Sequence, residues 1–190
     1  IAANMFTFTP IPRLNISFGN SIIYAERNVQ LMYFIPFAFF KSLDHLMTKG
    51  LAVENQNSQM FITLSSRNIK HLHLYASFFI DEFNTKRLSN EEHNLISYKA
   101  GFNVSNWPLK NLNYGFEYTR TNTLNYKHSI QAITWASNSY NLGHYLGDNS
   151  QQFYAYIGYK PIRKVDIKLS YTKDQKGNDY DYVRRNTKQI

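Results

Sequence analysis

Between Thr121 and Gln151 the chain carries Trp135, Tyr140, Asn141, His144, Tyr145, Asp148 and Asn149, a mixture of flat aromatic faces with amide, imidazole and carboxylate groups. Such a mixture suits a sugar, because the C–H faces of a pyranose stack on rings while its hydroxyls need planar donors and acceptors. The same stretch has a purely structural reading, in which Gly143, Gly147, Asp148 and Asn149 make turns and Tyr140 and Tyr145 anchor a re-entering strand. Residue types alone leave both readings open.

His71 and His73 are two apart and would share one face of a strand, as a pair of metal ligands does, and His144 with Asp148 has a spacing usable on a helix. Neither pair has a visible third and fourth ligand, so no metal and no other cofactor is expected. The histidines read better as polar residues facing an interior, together with Tyr75, Asn113, Glu117, Asp166 and Lys168. Gly-x-Ser-x-Gly, a paired-carboxylate motif, a phosphate-binding glycine loop and His-Glu-x-x-His are all absent. No catalytic residue is nominated, and the chain is read as non-enzymatic.

Basic residues sit near what read as short turns: Arg13, Arg67, Lys70, Lys110, Arg163 and Lys164. In a membrane setting they would meet lipid phosphates. No aromatic platform motif accompanies them, so nucleic acid is not an expected partner.

The elements that must position these groups are announced by an internal repeat. Pro-(Ile/Leu)-x-x-(Leu/Val)-(Asn/Asp)-(Ile/Tyr)-x-(Phe/Leu) occurs at Pro10 to Phe18, Pro108 to Phe116 and Pro161 to Leu169, and a fourth copy begins at Asn68. Proline fixes φ and has no N–H, so each copy predicts a tight connection outside a hydrogen-bonded ladder.

The flanking arms alternate with period two. Leu72, Leu74, Ala76, Phe78 and Ile80 interleave with His73, Tyr75 and Ser77; Leu112, Tyr114, Phe116 and Tyr118 interleave with Asn113, Gly115 and Glu117. Val165, Ile167, Leu169 and Tyr171 repeat the pattern against Asp166, Lys168 and Ser170. Four hairpins follow, with about eight arms, one apolar face and one polar face.

Short connections at the repeats alternate with long ones at Ala25–Asn57, Glu82–Asn94 and Thr121–Gln151. This asymmetry, with arms near the ~9–11 residues that cross a bilayer when tilted, predicts an antiparallel transmembrane β-barrel. A soluble β-sandwich would instead use the apolar face as its core.

Composition bounds the rest. The 190 residues carry a formal charge of +8, no cysteine, and 15 Tyr with 14 Phe, aromatic enough for strand ends at a lipid–water boundary. No run of ~20 apolar residues predicts a membrane helix. The opening Ile1-Ala2-Ala3-Asn4 lacks the regions of a signal peptide, and the polar stretch 174–189 has no returning strand. One partial domain over 1–190, cut from a larger barrel, is the expectation. The apolar stretch Leu31–Met47, broken by Pro36, reads as a short helical or irregular loop that folds inward and narrows the barrel or packs against a neighbouring part of the protein.

Several dispersed segments carry a family resemblance: Gly19-Asn20-Ser21-Ile22-Ile23-Tyr24, Phe34-Ile35-Pro36-Phe37 through Phe40-Lys41-Ser42-Leu43-Asp44-His45, Ser65-Ser66-Arg67-Asn68-Ile69-Lys70, Glu117-Tyr118-Thr119-Arg120-Thr121-Asn122 and Tyr140-Asn141-Leu142-Gly143-His144-Tyr145-Leu146. Together they resemble the capsule assembly protein Wzi family in the form common among Bacteroidota. The resemblance implies an outer-membrane β-barrel of a Gram-negative bacterium, without enzymatic activity, that holds capsular polysaccharide at the cell surface. Expected partners are therefore outer-membrane lipid, lipopolysaccharide and a surface polysaccharide. A channel or transporter with a polar lumen, and a structural subunit of an envelope complex, are the rival expectations. No family binding residue is carried onto this chain.

Overall fold

The computed structural model describes residues 1–25, 31–42, 56–83, 94–138 and 140–180. Its main feature is one eight-stranded antiparallel sheet in the order β1-β2-β3-β4-β5-β6-β9-β10. The strands are β1 (Ala2–Ile11), β2 (Leu14–Tyr24), β3 (Gln56–Ser66), β4 (Leu72–Glu82), β5 (Leu95–Ser105), β6 (Leu112–Thr121), β9 (Ser150–Ile162) and β10 (Val165–Lys176). A small hairpin, β7 (Ala136–Ser137) with β8 (Tyr140–Asn141), lies in the connection between β6 and β9. The sheet is open, since β1 and β10 each pair on one side only.

The four repeat copies do fall at four hairpins. Three of their turns need a residue in the left-handed region, supplied by Arg13, His71 and Asn111 at φ 67°, 67° and 64°. His71 therefore belongs to the β3–β4 turn and not to the strand, which corrects its expected sharing of a strand face with His73. Two prolines also need correction. Pro10 and Pro161 lie inside the last residues of β1 and β9, where the pairing register shifts between Phe8 and Ile11 and between Val165 and Ile167. A bulge leaves one residue out of the ladder, so the missing N–H goes unnoticed there. Asp166 lies at the same β9–β10 bulge, exposed to solvent.

Register places the two faces. Phe18, Ile62, Phe78, Tyr98 and Phe116 lie on one, Gly19, Phe61, Ser77, Ser97 and Glu117 on the other. Burial is inverted relative to a water-soluble sheet. Ser17, Ser21, Gln59, Ser97, Thr119, Thr121, Ser150 and Gln152, all on the polar face, are buried. Phe8, Phe18, Leu64, Phe78, Phe116, Ile157 and Leu169, on the apolar face, are exposed, Leu169 by 71%.

Three rings on the polar face lie over glycines on the adjacent strand, each facing its register partner: Phe61 over Gly19, Tyr75 over Gly101 and Tyr156 over Gly115. A missing side chain opposite a large ring lets the ring lie along the sheet and fill it.

Segment 31–42 settles onto the apolar face of β1 and β2 and not onto the polar face that the inward-folding reading required; the remainder of Leu31–Met47, from Leu43 on, lies outside the described residues. Phe37 stacks on Phe6 with ring centroids 5.3 Å apart, and Phe39 on Phe18 at 6.4 Å. Phe40 is buried with Ile22 and Tyr33. Asn20 receives the Phe40 N–H on its Oδ1 at 2.7 Å, and Asn4 donates to the Ala38 carbonyl at 2.8 Å. The amides of two strand asparagines thus satisfy backbone that a purely apolar surface would leave unpaired.

Candidate functional site

The connection from Asn122 to Asn149 folds over the polar face of the sheet. A chain of hydrogen bonds shapes it: Trp135 N–H to the Tyr126 carbonyl (3.1 Å), Leu142 N–H to the Trp135 carbonyl (3.1 Å) and His144 N–H to the Tyr126 hydroxyl (3.2 Å). Gly143 packs on the Tyr126 ring, where any side chain would collide with it. Asn141 closes a tight turn, accepting from Gly143 N–H at 2.9 Å and donating to the His144 carbonyl at 2.9 Å.

The loop meets the sheet at several strands. Asn57 on β3 donates to the Ile133 carbonyl (3.3 Å), and Phe79 on β4 packs against Tyr126 and Trp135 at 5.5 and 5.1 Å. On the β9–β10 side, Tyr145 donates to Asp174 at 2.8 Å, and Gln152 donates both to Asp174 at 2.7 Å and to the Tyr145 hydroxyl. The Tyr145 hydroxyl is held above its ordinary pKa, chiefly by that bond to the Asp174 carboxylate.

Asp148 locks the end of the loop. Only 4% exposed, it accepts the Leu124 N–H at 2.8 Å and lies 3.4 Å from the Lys176 ammonium and 3.8 Å from that of Lys127. Lys176 also donates to its carbonyl at 2.5 Å. Both cations reach Asp179 as well, at 2.8 and 3.8 Å. These ammonium groups hold the Asp179 carboxyl below its usual range.

Between loop and sheet lies a cavity of about 480 Å³, with Phe79, Lys99 and Thr119 among its floor residues and Trp135, His144 and Tyr145 in its roof. Thr119, 3% exposed, buries its hydroxyl without a partner among the described residues. Lys99 pairs with Glu117 at 3.1 Å, and Glu117 in turn accepts from Tyr75 at 2.9 Å. Aromatic surface from Phe79, Trp135 and Tyr145 beside the Lys99 ammonium, in one open cleft, matches part of the chemistry that a sugar ring needs. Burial lowers the pKa of His144, which keeps its ring in the neutral form that both donates and accepts.

Of the residues nominated from sequence, Trp135, His144 and Tyr145 come together at this cavity. Asn141 lines a second cavity of about 440 Å³ on the other side of Trp135, beside Asp148. Tyr140 is exposed and lines neither of the two, and Asp148 and Asn149 are clamps: Asn149 N–H donates to the Asn122 carbonyl and its amide to that of Asn178, at 3.1 and 2.8 Å. Among the interior-facing candidates, His73, Tyr75, Asn113, Glu117 and Lys168 lie on the polar face, with Lys168 over the Tyr156 ring at 5.1 Å. Among the described residues no group of three or more His, Asp or Glu is placed to hold a metal ion.

Sequence reasoning missed Phe61, Phe79, Lys99, Thr119 and Tyr126. A signal for the first two was present: Met60-Phe61-Ile62 and Phe78-Phe79-Ile80 put an aromatic at the polar phase of an alternating strand. An aromatic at such a position needs an apolar neighbour on the polar face.

No known protein family, curated protein or solved structure matches the chain.

Proposed function

We propose that this chain is part of an outer-membrane β-barrel that holds a surface polysaccharide, with the glycan entering the cavity beneath the 122–149 loop. The inverted burial carries the membrane half of this reading. A sheet that exposes Phe, Leu and Ile across its strands while burying Ser, Thr and Gln is stable where the exposed face meets hydrocarbon. Strand lengths of 10 to 13 residues suit a tilted crossing.

The glycan half is supported by Trp135, His144, Tyr145 and Lys99 around one cleft. In this reading the polar face is the lumen, and the loop lies across it as a partial plug. Glycan-array binding by the detergent-purified protein tests it. Binding weakened several-fold in Trp135→Ala and unchanged in Tyr140→Ala is expected, and equal binding by both variants and the parent would defeat it.

The second reading is a channel, favoured by the polar-face series Tyr75, Glu117, Lys99 and Lys168. Planar-bilayer recordings separate the two: the anchoring barrel stays silent, and steady conductance with no glycan binding would favour the channel.

A further inference from the structure

We infer that the cleft at the short-turn end of the sheet, framed by Arg13, Arg67 and Lys70, binds a phosphate group. Arg13 comes from the β1–β2 turn, and Arg67 and Lys70 from the β3–β4 connection. Backbone bonds hold these connections together: Arg67 N–H donates to the Arg13 carbonyl at 2.9 Å, and Ser105 N–H at the end of β5 donates to the His71 carbonyl at 2.9 Å. The His71 Nδ1 returns a bond to the Ser105 carbonyl at 2.9 Å. The frame is thus fixed by main chain, and the cations are side chains projecting from it.

Among the described residues, no carboxylate pairs with any of the three cations. Three like charges around a cavity of about 300 Å³ concentrate positive potential that an anion relieves. Guanidinium groups match phosphate oxygens two at a time, which makes Arg13 and Arg67 the discriminating contacts and Lys70 a supporting charge. Asn103 and Asn106, which also line the cleft, add amide N–H donors, their oxygens already accepting from the Tyr156 hydroxyl and the Asn111 N–H. His73 and Asn103 are register partners on the polar face, so the cleft reaches that side of the sheet. The occupant is a phosphate or diphosphate group, carried by a water-soluble molecule or by a lipid headgroup.

The test uses the full chain in a non-ionic detergent, titrated calorimetrically with pyrophosphate. Saturable binding is expected, weakened about tenfold by Arg67→Ala or Arg13→Ala through loss of a charge-assisted pair, and unchanged by Lys164→Ala at the β9–β10 turn. Arg67→Lys, which keeps the charge and loses the fork, gives an intermediate loss; if Arg67→Ala fails to fold, Lys70→Ala supplies the readout. A second arm compares nanodiscs of phosphatidylglycerol with phosphatidylcholine. Headgroup-dependent thermal stabilisation that Arg67→Lys diminishes identifies a lipid source, whereas pyrophosphate binding without it identifies a soluble one. Absence of both responses overturns the site, as does an equal loss in Lys164→Ala, which would mean diffuse charge alone.

Discussion

Tyr75 on β4 lies across Gly101, its register partner on β5, so closely that a Cβ added to Gly101 would stand 2.6 Å from the Tyr75 hydroxyl oxygen and 2.6 Å from the Phe116 carbonyl oxygen. The ring then reaches Glu117 on β6, spanning three strands with one side chain. Gly101→Ala should therefore destabilise the sheet by about 1–3 kcal/mol, the usual range for overpacking. Gly158→Ala, where an added Cβ meets nothing nearer than 3.8 Å, should be close to neutral. Denaturant unfolding of the two variants in the same detergent checks the contrast.

Removing the carboxylate at Asp148 should free the loop and leave the sheet standing. Asp148→Ala strips the partner from the Leu124 N–H and from two ammonium groups, and unpairing a buried polar network of this kind costs about 1–3 kcal/mol. Limited proteolysis should cut within 122–149 much faster in the variant, with strand hydrogen exchange unaltered.

The loop should also loosen in acid through His144. Its folded-state pKa lies below the ordinary 6.5, burial being the leading cause, so the unfolded loop binds protons that the folded loop refuses. Stability is then full above that ordinary value and declines as pH falls from it toward the lowered folded-state value. Protease susceptibility of the loop between pH 7.5 and 5 should rise in the parent and flatten in His144→Gln.

Charge on the two faces should be tolerated unequally in a bilayer. Phe116→Arg places a guanidinium in hydrocarbon and should cost about 2–4 kcal/mol if the residue sits near the midplane. Thr172→Arg, on the polar face opposite Tyr154, should cost little. Folding yields into phospholipid vesicles measure the difference, and equal tolerance would speak for a water-soluble sheet.

Glycan affinity should fall several-fold in Trp135→Ala, since an aromatic platform contributes about 0.5–1.5 kcal/mol beyond its buried area. Thr119→Val, which replaces a buried, unpartnered hydroxyl by a methyl of similar shape, should leave affinity unchanged while thermal stability stays level or rises.

The four-copy turn repeat, with the alternation of the arms that flank it, as along Leu72 to Ile80 and Leu112 to Tyr118, was enough to specify four hairpins, their two faces and the placement of the long connections, because side-chain direction in a strand repeats every two residues. Local chemistry also marked Trp135 and His144. Nothing local said where the loops would lie. Segment 31–42 goes to the apolar face because Phe6, Phe18 and the amides of Asn4 and Asn20 await it there, residues met only after β1 and β2 pair. The 122–149 loop goes to the polar face because Phe79, Asn57 and Asp174, far apart in the chain, receive it together. The strands obey a periodicity that each stretch carries in itself, whereas the cavity exists only between surfaces from separate hairpins, and that juxtaposition was decided by tertiary packing.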